Sequence, residues 1–247
     1  MERGAREAVA TFYAPELRPT PAEVSLGESA AHHAEVRRLS QGDWVRLTNG
    51  SGTIGAGPIV RRVKRDVVVD VQQVEDVQPP SPLELLVPVA DRERMLWLAE
   101  KCTELGISVW QPVVFARSRS VAPRGEGEAF AAKVRARMIG ALAQSGSAWL
   151  PEARKELRLD AATARVTAPT RYVLDRSGGR LEPPASRNGV AVIFGPEGGM
   201  ESAEREHLEA TGWTPVRLAP NTLRFETAGI AAVAILRAGA TTVNAGG

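Results

Sequence analysis

A single carboxylate, Glu197, stands inside the glycine-rich segment GPEGG at residues 195–199. The glycines allow the backbone to approach a ligand closely, and Pro196 stiffens the turn because its ring fixes φ and removes a donor. The segment lacks the lysine of a phosphate-binding P-loop and the spacing of a dinucleotide fingerprint, and a carboxylate would repel phosphates. It therefore predicts either a structural turn or a pocket for a ligand without negative charge at this point: a nucleoside, an amino acid or a sulfonium.

The GPEGG segment follows a predicted strand, VAVIF at residues 190–194, and a helix is predicted at about 201–211. A second strand, PVRL at residues 215–218, also enters a short loop, and its helix is predicted at about 226–238. In open α/β sheets, ligands bind outside the carboxyl ends of the strands. We expect these two strands to be neighbours whose loops close around one flat ligand.

The elements that position these loops indicate two domains. Residues 44–77 alternate in polarity and contain the hairpin pair Asn49-Gly50, which favours a small β-barrel or sandwich. QPPSP at residues 78–82 can continue neither helix nor sheet interior and predicts a linker. Beyond it, strands alternate with helices, so we predict an α/β fold with a parallel sheet covered on both faces. The predicted domains are residues 1–78 and 83–247.

The periodicity beyond the linker is specific enough to place individual elements. Asp91 is a candidate N-cap, and Gly106 and Gly146 are candidate helix stops. The remaining predicted strands are LELLVPVA at 83–90, VWQPVVF at 109–115 and RYVL at 171–174, and two helices carry apolar residues at Met95, Leu98, Cys102 and Leu105 and at Phe130, Val134, Met138 and Leu142.

Composition excludes several classes of protein. The chain has 247 residues, of which 43% are hydrophobic and 24% charged, and no apolar run is long enough to span a membrane. The first residues contain no apolar core of a secretory signal. One cysteine excludes an internal disulfide and a cysteine-based zinc cluster, and His32 and His33 lack partners at metal-binding spacing. We therefore expect a cytoplasmic protein without a metal.

Basic residues are concentrated in three places, although the net charge is only +2. Such patches in a nearly neutral chain are typical of a polyanion binder, while the alternative is that each is a solvated surface. The clusters are HHAEVRR at 32–38, RRVKR at 61–65, and the stretch 115–155 with Arg117, Arg119, Arg124, Lys133, Arg135, Arg137, Arg154 and Lys155 against three acidic residues.

The order of several blocks identifies a family resemblance. IFGPEGG and RLAPNTLRFETA closely resemble the RsmE family, methyltransferases of the SPOUT class that modify small-subunit ribosomal RNA. EKCTELGI, RSV and AQSG match upstream family blocks in order and spacing, and HHAEVRRLSQGD resembles the N-terminal block. The resemblance covers nearly the whole chain.

This resemblance implies an N-terminal PUA-like β-barrel that contacts RNA and a C-terminal domain with a trefoil knot. It also implies a homodimer that binds S-adenosyl-L-methionine and methylates the N3 atom of one uridine in 16S ribosomal RNA, free or within the small subunit. The implied cofactor-binding residues are Leu174, Phe194, Gly195, Pro196, Glu197, Gly198, Gly199, Leu218, Ala219, Asn221, Leu223, Arg224 and Thr227. The candidate RNA-binding residues are Arg37, Arg38, Arg61, Arg62, Arg65 and Arg119.

Uridine N3 carries a proton, so catalysis needs a base or a cation that stabilises the developing anion. Glu197 and Glu226 are candidate bases, and Arg119 and Arg224 are candidate stabilisers. Arg224 has two alternative roles, a structural pair with Glu226 or a phosphate contact.

The chain departs from the family pattern at four positions. The family has Gly at Ala219, usually Arg at Asn221, Thr or Ala at Phe225, and Ser at Glu201. The changes at Asn221 and Phe225 leave open an alternative function, an RNA-binding ribosome assembly factor with the same fold and little or no catalysis.

Overall fold

The computed structural model describes residues 7–120, 124–183 and 188–241, with the side chains of 119–120 and 239–241 outside the description. The chain forms two compact units. One comprises Met1–Pro79 with Leu142–Leu150, and the other comprises Pro80–Ala141 with Pro151–Gly247. The first division falls inside the predicted linker. The unit boundaries differ from the predicted domains at Leu142–Leu150, because this segment belongs to the first unit.

The first unit is built on a six-stranded sheet in the order β1-β3-β4-β5-β2, with β6 paired to β4. All pairs are antiparallel except β1 with β3. The long strand β4 pairs with β3 and β6 through its first half and with β5 through its second half. The elements are β1 Thr11–Tyr13, β2 Ala22–Ser25, α1 Gly27–Val36, β3 Trp44–Thr48, β4 Thr53–Val63, β5 Asp66–Val71 and β6 Gln73–Asp76.

The second unit contains a seven-stranded sheet in the order β10-β8-β7-β12-β11-β13, with β9 paired to β8. Every strand pair is parallel, as predicted for an α/β fold. The elements are β7 Leu83–Pro88, α2 Arg92–Glu104, β8 Val109–Val114, a 3-10 helix Ala116–Ser120, α3 Glu128–Ser145, β9 Glu152–Ala153, β10 Leu157–Arg158, α4 Leu159–Ala164, β11 Thr170–Arg180, β12 Val190–Ile193, α5 Ser202–Ala210, β13 Thr214–Arg217 and α6 Phe225–Thr241. The last residues of α3, from Leu142, belong to the first unit.

The central strands are covered on both faces. Every residue of β7 and β12 is buried, although successive residues of a strand point to opposite faces. On one face, Leu86 and Ile193 join a core with Leu208 and Trp213, and α4 contacts α5. Helix α6 contacts β7 and packs against α2. The sequences of β7 and β12, apolar except for the buried Glu84, are therefore those of buried parallel strands.

Two local interactions explain how α2 is placed. The Asp91 side chain accepts a hydrogen bond of 3.0 Å from the Arg94 amide, which confirms the predicted N-cap. Gly106 ends the helix in the left-handed region, with φ at 83°. One prediction was wrong: β12 and β13 are not neighbours, because β11 lies between them. No helix in the described ranges is long and apolar enough to cross a membrane.

Candidate active site

A cleft of about 340 Å³ opens at the carboxyl ends of β11, β12 and β13. Both loops singled out from the sequence contribute to it, and so does the end of β11 between them. Its walls include the buried side chains of Phe194, Met200, Val216 and Phe225. The cleft is therefore an apolar space at the edge of the sheet where ligands of α/β proteins bind.

The GPEGG loop (residues 195–199) is a tight turn. The amide of Gly199 donates a hydrogen bond of 2.8 Å to the carbonyl of Pro196, and Gly199 has φ of 75°, a conformation that favours glycine. A Cβ at Gly195 would lie 2.7 Å from Cγ of Met200, so the backbone passes close beneath that side chain.

Side chains from distant parts of the second unit hold the GPEGG loop. Arg94, in the first turn of α2, forms an ion pair with Glu197. Arg117, in the 3-10 helix, donates a hydrogen bond of 2.9 Å to the carbonyl of Gly198. The carboxylate that stands alone in the sequence therefore attaches the loop to α2.

The start of α5 is held in a similar way. Glu204 accepts hydrogen bonds of 2.8 Å from the amide of Glu201 and 2.7 Å from the amide of Ala116. One carboxylate thus satisfies a free donor at the helix start and ties it to the 3-10 helix. The start of α5 is therefore capped although Glu201 replaces the serine expected at the N-cap.

The APNTLR loop (residues 219–224) forms the opposite side of the cleft. Asn221, Thr222 and Arg224 are exposed. The only side-chain hydrogen bond found for this loop within the described ranges joins Nη1 of Arg176 to Oγ1 of Thr222, at 3.1 Å. This loop is therefore held by fewer contacts than the GPEGG loop.

Asp175, at the end of the first part of β11, connects the cleft to α5. Its carboxylate accepts hydrogen bonds from the amide and hydroxyl of Ser177, at 2.9 and 2.7 Å, and forms an ion pair with Arg205. Burial alone would raise the pKa of Asp175. The hydrogen bonds from Ser177 and the Arg205 guanidinium outweigh burial, and the pKa lies below its usual value.

Most of the predicted cofactor-binding residues line this cleft, but three do not. A Cβ at Gly198 would face the Arg117 side chain, 3.3 Å from its Cβ, and Gly198, Arg224 and Thr227 are absent from the cleft wall. The predicted residues in the wall are Leu174, Phe194, Gly195, Pro196, Glu197, Gly199, Leu218, Ala219, Asn221 and Leu223.

Comparison with known proteins identifies the family of the chain. Residues 77–237, which include the whole cleft, match the family described as RNA methyltransferase domain. The chain belongs to the RNA methyltransferase family.

Curated relatives extend along nearly the whole chain. The Aquifex aeolicus protein named ribosomal RNA small subunit methyltransferase E is 28% identical over 220 residues, covering 85% of this chain and 92% of that protein. The Synechocystis protein of the same name is 25% identical over 226 residues, covering 88% of this chain and 73% of that protein.

Solved structures share the fold over both units. A Legionella pneumophila protein, solved in complex with the bound cofactor SAM, is 27% identical with a TM-score of 0.80, and 93% of this chain and 97% of that chain align. A ribosomal RNA small subunit methyltransferase E from Neisseria gonorrhoeae, bound to S-adenosyl methionine, has a TM-score of 0.83 at 24% identity with the same coverage. At 24% identity, the likeness to the Neisseria gonorrhoeae structure shows a shared fold and no more.

The predicted catalytic residues of this RNA methyltransferase occupy different environments. Glu197 is engaged by Arg94, whereas Arg224 is exposed and pairs with no carboxylate among the described residues. The structural pair between Arg224 and Glu226 that the sequence left open is absent from the described residues. One carboxylate oxygen of Glu226 is buried without a hydrogen-bond partner there. The side chain of Arg119 lies outside the described residues, as does Val121 of the RSV block.

Sequence reasoning missed several cleft residues of this RNA methyltransferase. The rule that ligands bind at strand ends also applies to β11, where Asp175 and Arg176 directly follow the predicted strand 171–174. Applying this rule to β11 would have identified Asp175 and Arg176 as cleft residues. The further lining residues are Met200, Arg205, Val216, Arg217, Thr222, Phe225 and Ala228, which belong mainly to segments already singled out.

The predicted RNA-binding residues of the first unit are all exposed. Nη1 of Arg62 donates a hydrogen bond of 2.9 Å to the carbonyl of Leu39, so the end of β4 lies beside the turn after α1. This contact joins two basic clusters that are separate in the sequence. Arg61 lies 3.6 Å from Asp66, and Arg65 lies 3.6 Å from Glu28.

Other reactive side chains are accounted for by packing. Burial raises the pKa of the Cys102 thiol, which keeps it protonated in the core. His33 packs edge-on against Phe12 with ring centroids 5.3 Å apart, and burial, together with the charges of Arg37 and His32, lowers its pKa. In the described part of the chain, no three His, Cys, Asp or Glu side chains are grouped to hold a metal.

Proposed function

We propose that this protein transfers a methyl group from S-adenosyl-L-methionine to the N3 atom of one uridine in the 16S ribosomal RNA of the small subunit. The observation that carries the proposal is the cleft of the RNA methyltransferase domain, formed by the GPEGG and APNTLR loops. The names of the relatives support ribosomal RNA as the substrate, and the bound SAM of the Legionella structure supports the methyl donor.

The cleft is suited to this donor in size and polarity. Its volume of about 340 Å³ is within the range of roughly 300 to 1,000 Å³ typical of small-molecule sites. Phe194, Leu174 and Leu218 provide apolar walls for a flat base, and at Gly195 and Gly199 no side chain separates the backbone from the cleft. The donor supplies an electrophilic methyl group on a positively charged sulfur.

The residues of the chain have to orient the two reactants and stabilise the charge that develops on the uridine. The loops position the donor, and positioning carries much of the rate of an in-line displacement. We assign stabilisation of the uridine anion to Arg224, because its exposed guanidinium has no carboxylate partner among the described residues. Glu197 is better placed to hold the loop than to accept a proton, because Arg94 engages its carboxylate.

A methylation assay with the Arg224→Ala variant tests this assignment. The substrates are small subunits or 16S RNA from a strain that lacks the gene, and nuclease digestion with mass spectrometry identifies the methylated nucleoside. We expect kcat to fall about 10²-fold to 10³-fold, as for loss of one anion-stabilising group, with donor affinity by calorimetry within about 3-fold of wild type. Arg165→Ala, which removes an exposed arginine outside the basic clusters and the cleft, is the control.

Two results of this experiment would contradict the proposal. A wild-type protein that binds no S-adenosyl-L-methionine at millimolar concentration but binds RNA would instead support the ribosome assembly factor. Methylation at another atom or in another RNA would contradict the proposed product. Full activity of Arg224→Ala would contradict only the role of Arg224.

The family resemblance supports further parts of the proposal. We infer that the first unit is a PUA-like barrel that binds RNA through the joined basic surface of Arg37, Arg38, Arg61 and Arg65, and that Arg119 contacts RNA. We also infer a trefoil knot, a homodimer and a cytoplasmic location, where ribosomal subunits are assembled. Light scattering at micromolar concentration tests the dimer, and a monomer with full activity would contradict it.

A further inference from the structure

A depression beside the active-site cleft is lined by three arginines and by no acidic residue. Arg176 and Arg180 come from β11, and Arg217 comes from the end of β13. Ser177 and the chain from Leu218 to Pro220 complete the lining. Arg176, Arg217, Leu218 and Ala219 also line the cleft, so the two cavities are continuous.

Two of the three arginines occupy paired backbone positions. Arg180 and Arg217 are paired positions on neighbouring strands, which run about 4.8 Å apart. All three residues are exposed, and none pairs with a carboxylate among residues 7–120, 124–183 and 188–241. Like charges that line one small cavity repel, so a bound anion would stabilise the cluster.

The chemistry of the cluster selects a phosphate. Arginine binds phosphate oxygens through two parallel hydrogen bonds, and phosphate contacts orient a nucleic acid without reading its sequence. Arg176 is already oriented, because its Nη1 donates to Thr222 in the APNTLR loop. The position in that loop where arginine is expected holds Asn221, and the cluster supplies positive charge beside that loop.

We propose that Arg176, Arg180 and Arg217 form a binding site for a backbone phosphate of the RNA next to the target uridine. The site rests on the proposed function and deepens it, because it holds the substrate strand while the base enters the cleft. Arg176 and Arg217 border both cavities and link the phosphate site to the donor.

The test compares Arg180→Ser/Arg217→Ser with the wild-type protein. A fluorescein-labelled 12-nucleotide single-stranded RNA is titrated by anisotropy over a series of salt concentrations. Each phosphate contact contributes about 0.7 to the slope of log affinity against log salt, so we expect the slope to fall by about 1.4. This corresponds to an affinity loss on the order of 20-fold at 0.1 M salt.

Two further variants separate charge from structure. Arg180→Lys/Arg217→Lys should keep most of the salt slope, because it retains both charges. Arg158→Ser/Arg165→Ser removes two exposed arginines of the same unit that line neither cavity, and should leave both slope and affinity within about 2-fold. Donor affinity by calorimetry should be unchanged in Arg158→Ser/Arg165→Ser, because neither arginine lines the cleft.

The outcomes separate this inference from the proposed function. A slope and affinity of the serine variant equal to those of Arg158→Ser/Arg165→Ser would overturn the phosphate site. So would a loss of donor affinity with an unchanged slope, because the arginines would then bind the carboxylate of the methyl donor. A wild-type protein that fails to bind the donor would count against the proposed function, while the change in slope would still decide the phosphate site.

Discussion

The two loops that flank the cleft are held in different ways. The GPEGG loop is closed by its own hydrogen bond between Gly199 and Pro196, and Arg94 and Arg117 attach it to two other elements. The APNTLR loop is exposed and has one side-chain hydrogen bond among the described residues, from Arg176. The GPEGG side of the cleft is therefore preorganised without a ligand, whereas the APNTLR side can adjust when a ligand binds.

This difference suits a site with two ligands. A preorganised loop lowers the entropy cost of binding, which favours the donor. A less constrained loop allows a large RNA to approach and then contacts it. The comparison predicts that changes in the GPEGG loop weaken donor binding, whereas changes in the APNTLR loop act mainly on methyl transfer, as proposed for Arg224.

The largest expected effect on the GPEGG side is that of Gly199→Val. At φ of 75° a β-branched residue is strained by about 1 to 3 kcal/mol, so the turn would open. We expect donor affinity by calorimetry to fall at least about 10-fold. The matched control is Gly198→Ala, whose new Cβ would face Arg117 rather than the cleft and should change affinity less than about 3-fold. Equal losses in both variants would mean that the loop has no separate ligand-facing side.

A smaller effect distinguishes the contacts of the two loops. Arg117→Ser removes the hydrogen bond to the Gly198 carbonyl, and we expect donor affinity to fall about 5-fold, in line with roughly 1 kcal/mol for one hydrogen bond. Thr222→Val removes the bond from Arg176 and should change donor affinity less than about 2-fold. The reverse order would show that the APNTLR loop, rather than the GPEGG loop, is the preorganised side.

The smallest effect concerns β11, which lies between the two loops. Because the pKa of Asp175 is lowered in the folded protein, its stabilising effect is complete above the usual value of about 3.9 and is lost as the pH falls through the folded value. We expect Asp175→Asn to lower the free energy of unfolding by about 1 kcal/mol at pH 7, and less below pH 4. Urea unfolding at pH 7 and below pH 4 measures both changes in the free energy of unfolding.

The control for this measurement is Asp160→Asn. That carboxylate is largely exposed and lies 3.9 Å from Arg158, so its removal should cost less than about 0.5 kcal/mol at either pH. A difference between wild type and Asp175→Asn that stays constant down to pH 3 would show that the ionised form of Asp175 is not what stabilises the fold.

Local patterns predicted much of this molecule. Largely apolar runs predicted the buried strands β7 and β12, Asp91 and Gly106 marked the ends of α2, and prolines marked the division between the units. Glycines after two strand ends predicted loops that line a cleft. These features follow from backbone geometry and burial within short segments, so a single sequence contains the information.

The tertiary structure alone decided how the segments combine. Arg94 and Arg117 meet the GPEGG loop from positions about 80 to 100 residues away, and no local pattern indicates such a pairing. The placement of β11 between β12 and β13 brought Asp175 and Arg176 into the cleft and put Arg180 beside Arg217. Strand order depends on long-range packing, because a parallel strand pairs with neighbours distant in the sequence. Both loops could therefore be recognised from local sequence. The side chains that hold the GPEGG loop and the grouping of the three arginines depend on the tertiary structure.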